Sequence, residues 1–175
     1  HGPYGEDGTV QGMLDLVDLP YVGSGVLGSA LCMDKHAVKT VLADDGIAVA
    51  PWRTVTQHQL ARDPYLAETL DEGLHYPLFV KPARAGSSVG VSRVTESSEI
   101  PAALELAFAE DRTVLIESGV TGREVEIAVL EGRGEDGPRT STVIGEIVFT
   151  GGDFYDFEAK YLGAAGIELA LPAKV

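Results

Sequence analysis

The sequence has little cysteine, no long apolar run and little positive charge. Its one cysteine, Cys32, excludes a framework of internal disulfide bonds. We expect the thiol of Cys32 to be buried and inert, because its neighbours are apolar. The longest uncharged segment, residues 19–33, has 15 residues with three glycines and two serines. It is too short and too polar to span a bilayer, so we expect no membrane partner.

Positive charge is scarce relative to negative charge. The 175 residues carry 13 lysines and arginines against 27 aspartates and glutamates, a net charge of −14. Nucleic acid and anionic membrane surfaces are therefore excluded as partners, since both need a positive footprint. An anionic ligand must be met by local cations. Of the five lysines, Lys35, Lys81 and Lys160 lie in distinctive glycine-containing or polar segments.

The most informative segment that is present is FVKPARAGSSVGV, residues 79–91. It places Lys81 at the end of an apolar strand, before a loop of residues with small side chains. Such a loop lets successive backbone N–H groups close on anionic oxygens, and the residues concerned are Gly86, Ser87, Ser88 and Gly90. The lysine precedes the glycines and valines follow, so we expect a flap between two strands rather than a P-loop. An ordinary Gly/Ser hairpin with a solvated lysine is the alternative.

Helical and extended patterns alternate along the chain. We expect helices near residues 10–17, 25–33, 35–43, 57–73 and 100–108, and strands near residues 19–23, 49–55, 78–80, 113–117, 124–130, 140–149 and 167–171. Asp34 is the expected cap of the third helix, and Ser97 or Ser98 that of the fifth. The alternation predicts an α/β or mixed α+β fold with mixed sheets. A composition change near residues 117–122 predicts a domain boundary, and the aromatic, acidic segment 151–161 is a candidate lid.

Four segments, in this order, resemble the D-alanine–D-alanine ligases of the ATP-grasp superfamily. They are HGPYGEDGTVQG at residues 1–12, the helix start Met33-Asp34-Lys35, VKPARAGSSVGVS at residues 80–92 and FYDFEAKY at residues 154–161. The resemblance implies a partial ATP-grasp fold in three parts. Residues 1–23 would end a Rossmann-like preATP-grasp domain, residues 24–117 would form the central subdomain with the flap, and residues 118–175 would begin the C-terminal subdomain with the lid.

The implied activity is the ATP-dependent joining of two D-alanines for peptidoglycan precursors. The first carboxylate would attack the γ-phosphate of ATP, and the amine of the second D-alanine would attack the resulting acyl phosphate. The family also implies a bacterial cytoplasmic enzyme that acts as a homodimer. Two alternatives stay open. One is another ATP-grasp ligase, forming D-alanyl-D-serine or D-alanyl-D-lactate; the other is a non-catalytic nucleotide-binding fragment.

The resemblance also implies nucleotide-binding roles, with ATP between two β-rich lobes. Lys35, Lys81 and Lys160 would contact phosphates, and Gly86 and Ser88 would form the flap. Glu117 and Val120 would hold adenine, and Phe154 would close the adenine pocket. Glu124 would bind the ribose. The residues alone leave simpler interpretations open. Lys35 and Lys160 could be solvated lysines, Glu117 a surface charge at a strand end, and Glu124 the partner of a neighbouring cation such as Arg123.

Substrate-side roles follow from the same resemblance. Ser87 and Tyr161 match a hydrogen-bonded network that orients the ammonium of the first D-alanine, and His1 and Glu6 match the substrate-side loop. Catalytic roles are thus implied for Ser87, Tyr161, Lys160 and His1. Tyr161 favours the dipeptide product, although a tyrosine there could also simply pack in the lid. His1, as the terminal residue, could equally be frayed.

The family requires Mg²⁺, or Mn²⁺, with ligands that we expect beyond Val175. The chain begins at His1 without an initiator methionine and stops without a polar tail or a helix cap. We therefore expect a piece of a longer protein. If these residues were the whole molecule, we would expect no ligase turnover.

Overall fold

The computed structural model describes residues 2–132, 135–149 and 167–174. The chain divides into two compact units, His1–Val120 and Thr121–Val175. No helix within the described ranges is long and apolar enough to cross a membrane. The mixture of helices and strands confirms the expected fold class. The three-part division expected from the resemblance stays a prediction.

The first unit is built around a four-stranded sheet. Its strands are β1 (Trp52–Thr56), β2 (Leu78–Pro82), β3 (Ser92–Val94) and β4 (Thr113–Ser118), in the order β1-β4-β2-β3. Every pair is antiparallel, so the expectation of mixed sheets is wrong for the described ladders. The connection between β2 and β3, residues 83–91, explains one pairing, because parallel strands need a crossover of about a dozen residues or more.

Five helices accompany this sheet: α1 (Thr9–Leu16), α2 (Val26–Met33), α3 (Lys35–Asp44), α4 (Gln57–Arg62) and α5 (Ile100–Glu110). The carboxylate of Asp34 accepts hydrogen bonds from the backbone N–H groups of His36 and Ala37, at 3.0 and 3.1 Å, at the start of α3. The predicted cap of α3 is thus confirmed. The predicted serine cap before α5 is wrong, because the capping contacts of the preceding 3₁₀ turn, Ser97–Glu99, come from Glu96 and Glu99.

Three further local expectations were wrong. The single helix over residues 57–73 is instead α4 followed by a 3₁₀ helix, Pro64–Thr69, because a residue before proline favours extended backbone and Asp63 adopts it. Residues 19–23 form no strand; Pro20 has no N–H to donate to a ladder. Cys32 is exposed rather than buried, since α2 places it on an outer face.

The hydrophobic core lies between α5 and one face of the sheet. Helical spacing brings Ile100, Ala103, Leu104 and Ala107 to the buried side of α5. They pack against strand residues that include Leu78, Val80 and Ile116, each fully buried. Burying a side chain of this size contributes about 1.5–3 kcal/mol. This packing fixes the sheet, and with it the side chains on the opposite face.

The described residues of the second unit form two small antiparallel sheets. One has the order β5-β8-β9 and the other pairs β6 with β7; the strands are β5 (Glu124–Glu126), β6 (Val129–Leu130), β7 (Arg139–Thr140), β8 (Gly145–Phe149) and β9 (Ile167–Ala170). The predicted strands 124–130 and 140–149 are therefore each divided in two. Arg123 donates two hydrogen bonds to the carboxylate of Glu146, at 2.6 and 2.7 Å.

Candidate functional site

The site forms on the sheet face opposite the α5 core. Side chains alternate between the faces of a strand, so residues neighbouring the buried valines of β2 and β4 point away from the core. Register places Glu117 of β4 between Trp52 of β1 and Phe79 of β2. Residues directly opposite each other share a face, and Lys81 lies two residues along β2 from Phe79. One sheet face thus combines two aromatic rings with a carboxylate and a lysine.

Glu117 lies between two lysines, and each carboxylate oxygen contacts a different one. Oε1 pairs with Lys81 Nζ, and Oε2 lies 2.9 Å from Lys39 Nζ. All three side chains are mostly buried, with exposed fractions of 14–18%. Burial acts to raise the pKa of Glu117, but the charges and hydrogen bonds of Lys81 and Lys39 outweigh it and hold that pKa below its ordinary value. Glu117 is therefore an ionised acceptor.

Lys35 is held against the base of the flap. Its Nζ donates hydrogen bonds to the carbonyl oxygens of Pro82, Ala83 and Ala85, at 3.1, 3.4 and 2.7 Å. Burial, together with the positive charge of Lys81, lowers the pKa of Lys35. Its side chain is therefore a partly desolvated cation beside Lys81, a setting in which an added anion is stabilised.

The flap between β2 and β3 has an unusual backbone. Ser87 and Ser88 adopt positive φ angles of 54° and 60°, and Gly90 has φ 68°. Positive φ costs a residue with a side chain about 1–3 kcal/mol, and such strain clusters at ligand clamps. The flap is closed by hydrogen bonds from Val89 N to Gly86 O, at 3.1 Å, and from Val91 N to Ser88 O, at 3.3 Å. The predicted hairpin flap is confirmed; its role in binding stays a prediction.

Asp111 anchors the base of the flap, a contact that the sequence did not suggest. Its buried carboxylate accepts hydrogen bonds from the backbone N–H of Arg84 and from two guanidinium nitrogens of Arg84, at 2.9, 3.1 and 2.8 Å. Burial opposes ionisation of Asp111, but the hydrogen bonds from Arg84 leave its pKa below the ordinary value. The residues are 27 positions apart, so no local pattern could have indicated the pair.

Glu6 also lies beside the flap. One of its carboxylate oxygens is 3.8 Å from the position that a Cβ on Gly86 would occupy. Glu6 and Gly86 line an open cleft of about 440 Å³, together with Gln11, Ser29 and Lys35. The structure therefore brings Glu6 to the flap, as the expected substrate-side role requires. That role itself stays a prediction.

The other predicted site residues are placed as follows. Val120 follows β4 and is 77% exposed. Glu124 begins β5 in the second unit and is exposed. His1, Phe154, Lys160 and Tyr161 lie outside the described residues.

No group of three or more histidine, cysteine, aspartate or glutamate side chains in the described ranges is arranged to hold a metal ion. The acidic residues of the site do not fit one either, since the described oxygens of Glu117 are both paired with lysines.

Lys39 is a second site residue, besides Asp111, that the sequence did not suggest. Its Nζ reaches Glu117 and the carbonyl oxygen of Ala50, the latter at 2.9 Å, and lies 5.1 Å from the centre of the Trp52 ring. The sequence contained one indication that Lys39 lies near the site. Lys39 follows Lys35 by four residues, and residues four apart lie on one helix face.

Comparison with solved structures defines the class of fold. A D-Ala:D-Ser ligase from Enterococcus faecalis, VanG, superposes on the whole chain with a TM-score of 0.80 at 38% identity, over 48% of its own length. A D-alanine-D-alanine ligase from Coxiella burnetii matches 84% of the chain with a TM-score of 0.71 at 41% identity, over 40% of its own length. The fold is therefore a partial ATP-grasp fold.

The sequence comparisons agree. A family model described as "D-ala D-ala ligase C-terminus" matches residues 41–175. A D-alanine–D-alanine ligase from Pseudarthrobacter chlorophenolicus is 50% identical over the whole chain, which covers 46% of that relative. The chain belongs to the D-alanine–D-alanine ligase family, and it spans about half the length of the curated relatives it matches.

Proposed function

We propose that this chain is the nucleotide-binding part of an ATP-dependent D-alanine–D-alanine ligase. The observation that carries the proposal is the arrangement of Lys35, Lys81 and Glu117 beside a strained glycine-serine flap. Lysines neutralise phosphate charge, and a fixed carboxylate at a strand end accepts a hydrogen bond from an exocyclic amine. The names of the matched relatives supply the substrate, D-alanine.

In this proposal ATP replaces contacts that the described residues make with one another. Lys81 would exchange its contact with Glu117 Oε1 for a phosphate oxygen. Lys35 would exchange one or more flap carbonyls for phosphate. Both exchanges move a partly buried ammonium from one acceptor to a more strongly charged one, which favours binding.

The chemistry proposed is carboxyl activation. The carboxylate of the first D-alanine forms a bond to the γ-phosphorus as the bond to the β,γ-bridging oxygen breaks, giving an acyl phosphate and ADP. The amine of the second D-alanine then attacks the acyl carbon, and phosphate leaves. Glu6 and Ser87, with His1 and Tyr161, are the proposed substrate-side residues. Glu124, Phe154 and Lys160 are further proposed nucleotide contacts.

The remaining parts of the proposal rest on the family. A ligase of this kind uses Mg²⁺, or Mn²⁺, acts in the bacterial cytoplasm and functions as a homodimer in the service of peptidoglycan synthesis. A second candidate is D-alanine–D-serine ligation, which the likeness to the Enterococcus faecalis D-Ala:D-Ser ligase favours. Tyr161 favours the D-alanine dipeptide instead.

The test is phosphate release by the full-length protein with ATP, Mg²⁺ and D-alanine. We expect release that depends on D-alanine, and a D-alanyl-D-alanine product even when D-serine or D-lactate competes. A predominant D-alanyl-D-serine product would support the second candidate. Absence of both ATP binding and amino-acid-dependent phosphate release would refute the enzymatic assignment.

A further inference from the structure

Lys39 contacts more separate parts of the fold than Lys81, the other lysine on Glu117. Its Nζ contacts Glu117 Oε2 at 2.9 Å and Ala50 O at 2.9 Å, and it lies over the Trp52 ring. These partners come from β4, from the segment before β1 and from β1 itself, and Lys39 is on α3. Its position is therefore defined by contacts with three separate parts of the first unit.

Lys81, by contrast, lies near the end of β2, next to the start of the flap. It contacts Glu117 Oε1 and lies 5.7 Å from the centre of the Phe79 ring, and the chain enters the flap directly after β2. The two carboxylate oxygens of Glu117 therefore have unequal partners. Lys39 reaches Glu117 from α3, whereas Lys81 lies on β2 at the base of the flap, where we propose that phosphate binds.

The difference between the two lysines matters for the neutralisation of the Glu117 carboxylate. The carboxylate of Glu117 is only 14% exposed, so leaving it without a cation would be costly. If Lys81 moves to a phosphate, a second cation must remain on Glu117. Lys39 already contacts the other oxygen, so the move leaves a neutral Lys39–Glu117 pair.

We propose that Lys39 is a positioning residue for nucleotide binding: it stays on Glu117 Oε2 and so frees Lys81 for phosphate and Glu117 Oε1 for the exocyclic amine of an adenine base. The inference rests on the proposed ATP site. Without Lys39, Lys81 stays on Glu117, and both the phosphate contact and the amine contact are weakened. Recognition of the base is therefore coupled to a residue that touches neither base nor phosphate.

The experiment measures dissociation constants for ATP and inosine triphosphate in the full-length protein by isothermal titration calorimetry. Inosine triphosphate carries an oxygen in place of the exocyclic amine of ATP. We expect Lys39→Met to weaken ATP binding about tenfold, the size of one charge-assisted contact, and to reduce the preference for ATP. Lys39→Arg should restore most of the loss, because it returns the charge.

A double-mutant cycle separates positioning from a general structural role. In a Glu117→Gln background, Lys39→Met should have little further effect, because no carboxylate remains to be neutralised. The matched control is Arg62→Met, which removes an exposed cation from the end of α4 and should leave both affinities unchanged. Melting temperatures monitor folding, and Lys39→Gln is interpreted in the same way if the methionine variant does not fold.

The outcomes distinguish the inference from the proposed function. Wild-type protein that binds neither nucleotide overturns both. Two outcomes overturn the positioning role alone, provided that the wild-type protein binds ATP. In one, Lys39→Met weakens the binding of ATP and of inosine triphosphate by the same factor. In the other, Lys39→Met weakens ATP binding as much in the Glu117→Gln background as in the wild type. An ATP affinity in the Lys39→Met variant equal to that of the wild type also overturns the positioning role.

Discussion

The Nζ atom of Lys35 lies 2.7 Å from the carbonyl oxygen of Ala85, a residue 50 positions along the chain. This hydrogen bond ties the start of α3 to the loop that follows β2. The same lysine is the proposed partner of a phosphate. Lys35, the proposed phosphate partner, therefore also maintains the structure of the flap base.

Replacing Lys35 with methionine should destabilise the protein as well as weaken ATP binding. The variant leaves the carbonyl oxygens of Pro82, Ala83 and Ala85 without this donor. Hydrogen bonds from a charged group contribute about 1.5–3 kcal/mol. The free energy of unfolding, measured in urea, should fall by an amount in that range. Lys174→Met, which removes an exposed lysine, should stay within about 0.5 kcal/mol of wild type; an equal loss in both variants would contradict the explanation.

Asp111→Asn should destabilise the base of the flap. The substitution removes the charge from a side chain that is only 4% exposed and that accepts three hydrogen bonds from Arg84. Because the Arg84 side chain is 55% exposed, we expect a loss of about 1–3 kcal/mol rather than the larger cost of a fully buried pair. Thermal unfolding measures it. Asp136→Asn is the matched control, since the pair of Asp136 with Arg139 is exposed on both sides and should contribute little.

Gly90→Ala should be more destabilising than Gly46→Ala. Both glycines have positive φ, 68° and 76°, so an added side chain strains the backbone in each case. At Gly90 the new Cβ would also lie 2.9 Å from Glu110 Cγ, whereas nothing lies within 4 Å at Gly46. We expect about 1 kcal/mol at Gly46 and at least 1 kcal/mol more at Gly90. Equal unfolding free energies for the two variants would show that the close contact relaxes without cost.

Acid should weaken the stabilisation contributed by Glu117. Its pKa is lower in the folded protein than its ordinary value of 4.5, so near and below that pH the folded state binds fewer protons than the unfolded chain. Stability then rises with pH, and the contribution is lost as pH falls through the folded pKa. Denaturation at a series of pH values should show wild type more stable than Glu117→Gln at neutral pH, with the difference shrinking in acid. A difference independent of pH would exclude this linkage.

Local sequence signals predicted much of the first unit correctly. The Asp34 cap, the helices α2, α3 and α5, and the strand before Lys81 each follow from a short pattern, because capping and apolar periodicity act over a few residues. Two of the errors passed over a local proline signal, since Asp63 is extended before Pro64 and Pro20 has no N–H to donate to a ladder. Residues 19–23 contain apolar residues suited to a strand, but a strand needs a partner.

The candidate site likewise contains residues that local sequence indicated and residues that it did not. The flap pattern itself indicated Lys81, Gly86 and Ser88, and the family resemblance added roles for Lys35 and Glu117. The structure brings Lys81 and Glu117 into contact. Lys39 and Asp111 were missed because their roles arise from partners far away in sequence. Lys39 meets Glu117 across 78 positions and Asp111 meets Arg84 across 27.

The sequence by itself determined the identity of the elements and the flap, since backbone preference, capping and strand periodicity are local properties. It also carried the motifs by which the family is recognised. Only the tertiary structure decided that Glu117 is shared by two lysines and that Lys35 holds the flap base. The reason is physical: an ion pair depends on distance and burial, and both are set by strand register and by packing across the sheet.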